Sequence, residues 1–591
     1  MNRTQLFLDG WQFWHDDTGE TELPDGPLAW QDVTLPHDWQ IWHVDDLYQD
    51  GTGWYRKRFS LGMEPGVRYA LYFEGVYMDV TLFVNGAVAG EWKYGYSSFH
   101  YDITDFLRSG ENEILVRCVL WHPNSRWYSG AGVYRDVWLW EMPETHLLPH
   151  SLYIAPQEGA EETWRLPVCA QVGRSGAGPV DGAEYAVAFS VCDAQGRELT
   201  RAVVPQTAAR PLDAGETEPY ARGEREICAY EAELTLRAPR LWDPSDPYCY
   251  RVRAVLLRDG EETDCLDSTF GCRTVELDPA RGLLLNHREL TLHGVCLHHD
   301  LGCLGAAFSR SAAERQIQIM LEMGANAIRT AHNMPAPAVM ELADQYGVLI
   351  VSESFDCWRL QKNPYDYARF FPDWYRRDVA SWVRRDRNHP SLLMWSIGNE
   401  IYDTHAGPEG AETMCALMDE VRRHDPYGNG AVTLGSNYMA WENTQRCADI
   451  IKVIGYNYSE RLYAAHHAAH PDWVIYGSET ASIVQSRGIY HFPLEQSLLV
   501  DDDLQCSSLG NSSTSWGAHN VDECLRADVE NPFTLGQFIW SGFDYLGEPT
   551  PYHTKNSYLG QVDTAGFPKD SFYLYQAGWT DWRTAPMVHV F

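Results

Sequence analysis

Apolar and polar positions alternate over much of the first 145 residues, as they do in antiparallel strands with one buried face. The segment 69–86 is rich in aromatic and β-branched residues and ends at Asn85-Gly86, a pair typical of two-residue hairpin turns. The segments 111–121 and 134–142 have a similar composition. We therefore expect a β-sandwich over residues 1–145, with two sheets packed face to face.

Residues 146–277 contain shorter apolar segments, such as 165–172 and 184–193, separated by polar turns that carry Gly and Pro. Strands of this length and spacing are typical of a small β-sandwich. The sequence predicts a second all-β domain over this range.

The pattern changes at residue 278, where short apolar segments begin to alternate with amphipathic helical segments. Repeated strand–helix units favour a parallel sheet, and eight of them over 278–591 predict a closed (β/α)₈, or TIM, barrel. In such barrels the polar residues at the carboxyl ends of the strands face the active site.

Two of the predicted barrel strands lead to a glutamate. The fourth passes through apolar residues to Asn399 and Glu400, and the seventh places Glu479 near its end. Glycoside cleavage uses two facing carboxyl groups, and a separation of about 5 Å leads to retention of configuration. Either glutamate alone is equally compatible with a structural ion pair at the rim, whereas the two together predict a glycosidase.

Five segments, among them RDRNHPSLLMWSIGNE, resemble glycoside hydrolase family 2: 124–139, 324–353, 385–400, 536–552 and 558–576. The resemblance covers nearly the whole chain. It implies a jelly-roll sugar-binding domain, an immunoglobulin-like sandwich and a catalytic TIM barrel, in the order of the three units above. It also implies that Glu400 is the acid/base and Glu479 the nucleophile.

Candidate partners of these glutamates lie at other strand ends. A nucleophile must be ionised, and Arg329, at the end of the second strand, is the expected neighbouring cation; the family pattern agrees. Tyr458, after the sixth strand, is a candidate donor to Glu479, with a core tyrosine as the alternative.

Further candidates face the sugar itself. Asn399 is expected to bond the 2-hydroxyl, and Trp540, ending the eighth strand, to stack beneath the pyranose. The resemblance implies that His298 and His332 touch sugar hydroxyls and that Asn124, from the first domain, reaches the barrel mouth. Structural histidines are the alternative for the first two.

The amino-acid composition limits the kinds of partner that the protein is expected to bind. The net charge of −36 repels phosphate backbones, so we expect no nucleic acid. The 14 cysteines lack framework spacing, no apolar run reaches 18 residues, and the first residues lack an apolar signal core, which together indicate a cytoplasmic protein with no membrane partner. High Trp and Tyr content suits both β-domain cores and a sugar site. The sequence leaves a homo-oligomer open.

No metal and no cofactor are expected. Where longer members of the family place magnesium ligands after the third strand, this chain has Cys357 and Arg359, which are unsuitable for magnesium. No dinucleotide loop, phosphate loop or nucleophile elbow follows a predicted strand.

The identity of the sugar is the part of the function that the sequence determines least. Glucuronidases of the family carry an Asn-x-Lys element after the eighth strand, and the matching residues 557–559 lack it. We expect an exo-acting β-galactosidase acting on a small carbohydrate or glycoconjugate. A β-hexuronidase is the runner-up, with Lys555 or Arg359 meeting the acid. A carbohydrate-binding protein on an inactive barrel is the alternative of another class.

Overall fold

A computed structural model describes residues 3–20, 22–24, 27–43, 45–175, 182–217, 224, 226–490, 506, 517–518, 520–550, 554 and 556–590. Within those ranges no helix combines the length and the apolar character that crossing a membrane requires.

The first unit is a sandwich of two antiparallel sheets. Its strands are β1 Arg3–Leu6, β2 Trp11–Asp16, β3 Gln31–Val33, β4 Gly51–Leu61, β5 Val67–Phe73, β6 Val80–Val84, β7 Ala87–Trp92, β8 Phe99–Asp102, β9 Gly110–Leu120 and β10 Val137–Pro143. The sheet orders are β1-β10-β5-β8 and β3-β2-β4-β9-β6-β7. Alternate residues of the facing strands, such as Tyr55, Leu71 and Val116, are buried in the core.

The predicted hairpin turn lies between β6 and β7. Val84 pairs with Ala87, which leaves Asn85 and Gly86 as the two turn residues. Both have positive φ, 50° and 84°, as a type I′ turn requires. Asn85 also accepts from the backbone of Glu113 on β9 at 3.0 Å, so the turn is anchored to the neighbouring strand.

The second unit is a smaller sandwich. It contains β11 Thr145–Leu147, β12 Tyr153–Ile154, β13 Gln157–Glu158, β14 Thr163–Arg174, β15 Tyr185–Cys192, β16 Glu198–Pro205, β17 Arg210–Pro211, β18 Glu226–Arg237, β19 Trp242–Asp243, β20 Asp246–Pro247, β21 Tyr250–Arg258 and β22 Glu261–Phe270, with helix α1 Ala214–Thr217. One sheet has the order β11-β14-β18-β17, with β12 and β13 also on β14, and the other β16-β15-β21-β22. Val187, Phe189 and Leu234 lie in the core between them.

A three-stranded antiparallel sheet connects this unit to the barrel. It is formed by β23 Val275–Asp278, β24 Gly282–Leu285 and β25 Arg288–Leu290. Leu283 and Leu285 pack with Leu292 and Leu349 at the starts of barrel strands, so the sheet closes the amino-terminal end. Since β23 spans the expected boundary at 277/278 and pairs with β24, we propose that the third domain begins before Val275.

Eight parallel strands of the described chain close into the predicted barrel. They are β26 Leu292–Leu297, β27 Ala327–Thr330, β28 Leu349–Glu353, β29 Leu392–Asn399, β30 Ala431–Ser436, β31 Val453–Asn457, β32 Val474–Ala481 and β33 Gly536–Trp540. The helices around them are α2 Arg310–Glu322, α3 Pro337–Tyr346, α4 Phe371–Asp386, α5 Asp403–Ala406, α6 Glu409–His424, α7 Glu442–Ile451, α8 Tyr463–Ala469, α9 Val521–Glu530 and α10 Asp570–Trp579.

The first sandwich is fixed to the carboxyl-terminal rim of the barrel by buried polar contacts. The carboxylate of Asp38 accepts from the hydroxyl of Tyr128 at 2.6 Å and from the backbone N–H of Ala306, after β26, at 2.9 Å. The guanidinium of Arg135 donates to the carbonyls of Met334 (2.8 Å) and Pro335 (3.3 Å), after β27. Buried polar groups must find partners, so these contacts determine where the sandwich docks.

A buried ion pair holds the segment that follows β33. Lys569 donates to Asp544 at 2.6 Å, to the carbonyl of Gln485 at 2.8 Å and to that of Tyr558 at 3.2 Å. The side chains of Lys569 and Asp544 are 0% and 6% exposed. This pair joins the loop that carries β34 Tyr545–Leu546 and β35 Asn556–Ser557 to the start of α10.

We expect Lys569→Met to lower the free energy of unfolding by about 3–5 kcal/mol, because it leaves Asp544 as an uncompensated buried charge. Calorimetric unfolding of the wild type and the variant would measure the loss. Lys452→Met is the matched control, since Lys452 pairs with Asp472 on the surface, with side chains 43% and 61% exposed. Equal shifts in the two variants would contradict the structural role of Lys569.

Candidate active site

The polar strand ends meet at the carboxyl-terminal mouth of the barrel, where the strands depart from regular pairing. Register shifts occur between Ser396 and Asn399 on β29, at Asn457 on β31, and between Gly477 and Thr480 on β32. Such bulges redirect side chains. Glu400 and Tyr458 follow with positive φ, 45° and 51°, a strained conformation that is common at functional sites.

Glu479 lies buried among donors. Its Oε1 accepts from Nη1 of Arg329 at 2.8 Å, and its Oε2 accepts from the hydroxyl of Tyr458 at 2.9 Å. Nε2 of His332 lies 3.6 Å from Oε1. The side chain is 4% exposed, so these partners replace most of its water.

Arg329 is shared with a second carboxylate, Glu353, which the sequence reasoning missed. Nε and Nη2 of Arg329 donate to Glu353 at 3.1 and 2.8 Å, and both side chains are fully buried. Glu353 also accepts from Ser396 at 2.6 Å and contacts Nδ1 of His332 at 2.7 Å. The signal was present, because Glu353 ends the apolar strand β28 just as the other glutamates follow β29 and β32.

Burial raises the pKa of Glu479 to about 7, although Arg329 and the hydrogen bond from Tyr458 lower it; the carboxylate of Glu400 raises it further. Arg329 and Tyr458 therefore both oppose the effect of burial on Glu479. The guanidinium charge is divided between Glu353 and Glu479.

Glu400 is held by groups from two domains. Asn457 donates to its Oε1 at 3.0 Å, and Nη1 of Arg126, from the first sandwich, lies 3.4 Å from its Oε2. Asn457 also donates to Oδ1 of Asn399 at 3.1 Å, and this oxygen accepts from Arg329, the partner of Glu479, so a chain of hydrogen bonds joins the surroundings of both glutamates. Neither Asn457 nor Arg126 was predicted.

Asp356 connects Arg126 to the barrel. It accepts from Nη2 of Arg126 at 3.1 Å, from Lys362 at 2.8 Å and from Nδ2 of Asn399 at 3.0 Å. Burial opposes its charge, but Arg126 and Lys362 lower the pKa of Asp356 below its usual range. Oδ1 of Asn399 also accepts from Nη2 of Arg329 at 2.9 Å, so this oxygen is already used within the protein. The second N–H of its amide group is left for a ligand.

Aromatic rings lie beside the buried carboxylates. The rings of Trp540 and His332 lie parallel, with centroids 5.1 Å apart and an interplanar angle of 2°. His298 lies 5.2 Å from Trp540 and 5.0 Å from Trp127. Both ring nitrogens of His298 are buried without a partner among the described residues, and burial lowers its pKa well below the usual value, which keeps the imidazole neutral.

The remaining predicted residues are less directly placed. Asn124 is next to the site, where it lines a small cavity with His332 and Asp356, but its amide bonds the hydroxyl of Tyr77 and a backbone carbonyl. Arg359 donates to Thr413 on α6. Lys555 lies outside the described residues.

Similarity to one family of known proteins extends over most of the chain. Models described as Glycosyl hydrolases family 2 match it as the sugar binding domain over 25–143, the central domain over 172–273 and the TIM barrel domain over 275–481. A beta-galactosidase of Bacteroides ovatus is 36% identical over 95% of this chain and 70% of its own length. A beta-glucuronidase of Bacteroides fragilis is 27% identical over 99% of this chain and 82% of its own.

A solved structure has the same architecture. The crystal structure of a beta-glycosidase from Bacteroides vulgatus superimposes with a TM-score of 0.83 at 26% identity, covering 98% of this chain and 75% of that one.

We expect Tyr458→Phe to raise the pKa of Glu479 above about 7, because the hydrogen bond from the phenol stabilises the charged carboxylate more than the neutral acid. Carbon-13 NMR titration of labelled glutamate carboxyls would measure it, with the Glu479 signal identified by its loss in Glu479→Gln. Tyr456→Phe is the matched control, since that hydroxyl contacts His466 instead. A midpoint unchanged in Tyr458→Phe would contradict the assignment.

Proposed function

Because the chain belongs to glycoside hydrolase family 2, a family of retaining β-glycosidases, we propose that it hydrolyses terminal β-D-galactosides. The observation that carries the mechanism is the pair of differently held carboxyls, Glu479 on Arg329 and Tyr458, and Glu400 on Asn457 and Arg126. Their surroundings are linked through Asn457 at one end of the barrel.

In the first step Glu479 attacks the anomeric carbon while Glu400 gives its proton to the leaving oxygen. The glycosidic bond breaks, an ester to Glu479 forms, and the leaving group departs as an alcohol. In the second step Glu400 takes a proton from water, the water oxygen bonds the anomeric carbon, and Glu479 is released as a carboxylate. Two inversions give net retention.

Arg329 supports this cycle through its two carboxylate partners. When Glu479 becomes a neutral ester, Glu353 still balances the buried guanidinium, so no unpaired charge is created. Sugar hydroxyls can bond the neutral imidazoles of His332 and His298 and the remaining side-chain N–H of Asn399. Trp540 provides an apolar face for the pyranose.

Two observations support a galactose glycone. The beta-galactosidase of Bacteroides ovatus is the more similar of the two relatives above. In addition, residues 557–559 carry no cation, and the buried Lys569 beside them is bound to Asp544 and to the carbonyl of Tyr558. That lysine is therefore not available to a sugar carboxylate.

A β-hexuronidase remains the second candidate, and a specific observation supports it. Arg126 and Lys362 bring two cations to the site through Asp356. They replace Arg359 as the basis of this alternative, because Arg359 bonds Thr413 on α6. A beta-glucuronidase is also among the relatives.

We expect Glu400→Ala to form the covalent intermediate with activated aryl galactosides but to hydrolyse it slowly, since the general base is missing. Azide, which needs no base, should restore turnover and yield the β-galactosyl azide, detected by NMR. Glu479→Gln is the matched control and should stay inactive with azide. Absence of rescue in Glu400→Ala would contradict its role as acid/base.

We expect 4-nitrophenyl β-galactoside to be cleaved at least tenfold more efficiently, by kcat/KM, than the β-glucoside, β-mannoside, β-galacturonide and β-glucuronide. For the two uronides, the physical reason is that an acidic sugar would meet the carboxylates Asp356 and Glu548 as well as the two cations. A higher kcat/KM for either uronide would favour the hexuronidase.

A further inference from the structure

Four aromatic side chains, two of them exposed, lie beside Glu400 in the segments that follow β29 and β30. We call this set the rim aromatic cluster, and it consists of Tyr402, His405, Tyr438 and Trp441. Tyr402 is 38% exposed and Trp441 55%. Rings that only filled the core would be covered, so these side chains are available to a ligand.

The cluster has a defined shape. The rings of His405 and Tyr438 lie 3.8 Å apart, and Trp441 is 5.3 Å from His405. Asn443 donates to the carbonyl of His405 at 3.2 Å, which ties the two loops together. The rings are therefore presented as one surface.

The cluster is next to the proposed proton donor. Tyr402 is two residues beyond Glu400, and the backbone N–H of Glu400 donates to the carbonyl of Gly435, three residues before Tyr438, at 2.9 Å. Burial raises the pKa of the Tyr438 phenol, and the nearby Tyr402 and Glu400 add to that shift.

Polar groups flank the same side. The ammonium of Lys362 lies 5.8 Å from the centre of the Tyr402 ring, and Arg126 and Glu548 are 34% and 32% exposed. An aromatic surface with charged donors and acceptors at its edge suits a pyranose, which has an apolar C–H face and a rim of hydroxyls.

We propose that the rim aromatic cluster is the leaving-group subsite, where it stacks on the sugar that the glycone is released from. This inference rests on the proposed function, because an acid that protonates the leaving oxygen requires the leaving group on its own side of the scissile bond. The exposed rings beside Glu400 occupy that side. The natural substrate is then a disaccharide or longer glycan.

The same subsite can also bind a sugar acceptor, to which the glycosyl group is transferred. A sugar hydroxyl bound on the cluster attacks the anomeric carbon of the intermediate, its proton passes to Glu400, the new glycosidic bond forms and Glu479 leaves as a carboxylate. Transfer to added sugar acceptors should therefore depend on the cluster.

The test compares two kinds of substrate in Tyr402→Ala and Trp441→Ala. One is the best cleaved of the β-1,3-, β-1,4- and β-1,6-linked galactosyl disaccharides. The other is the glycosyl fluoride of the same glycone, whose leaving atom has no ring to stack. We expect kcat/KM to fall about tenfold for the disaccharide and to be unchanged for the fluoride. Trp441→Phe should keep most of the disaccharide activity, and the ratio of transfer to hydrolysis should fall in both alanine variants.

Trp582→Ala is the matched control, since Trp582 is 69% exposed and lies after α10. It should affect neither substrate. Unchanged disaccharide turnover in both alanine variants, or an equal loss for the glycosyl fluoride, would overturn the subsite. Failure of the wild type to cleave any glycosyl fluoride would instead overturn the proposed function.

Discussion

The buried guanidinium of Arg329 is the contact on which the rest of the site depends. It bonds Glu353, Glu479 and Asn399, and thereby joins the ends of β27, β28, β29 and β32 at one point. A buried cation is tolerated only with its full set of partners, and removal of one partner of such a pair costs about 3–5 kcal/mol. The barrel mouth therefore has little freedom to rearrange, and Glu479 is positioned by the same contacts that stabilise the fold.

The site is completed across a domain interface. Arg126 comes from the first sandwich and contacts Asp356 and Glu400 in the barrel. The sandwich can place it there because Asp38 and Arg135 dock on the loops after β26 and β27. The barrel supplies both glutamates, whereas the first domain contributes a charge beside one of them. The docking contacts are thus part of the geometry of the site and not only of its stability.

Much of the fold was predictable because its signals are local. Alternation with a period of two, the turn at Asn85-Gly86 and the repeated strand–helix units all lie within short segments, and the closed barrel confirmed the count of parallel strands. The positions of Glu400 and Glu479 at strand ends followed from the same pattern. The start of the third domain depends instead on the pairing of β23 with β24, which links residues whose relation the hydrophobic pattern does not express.

By itself, the sequence determined the three-part architecture and the two glutamates at the barrel mouth. Only the tertiary structure decided that Glu353 shares Arg329, that Arg126 and Asn457 hold Glu400, and that burial raises the pKa of Glu479 to about 7. The physical reason is that strand periodicity depends on neighbouring residues. Charge pairing and desolvation depend instead on distances between segments far apart in the chain, and an apolar strand ending in glutamate looks the same whether that carboxylate meets a substrate or a buried arginine.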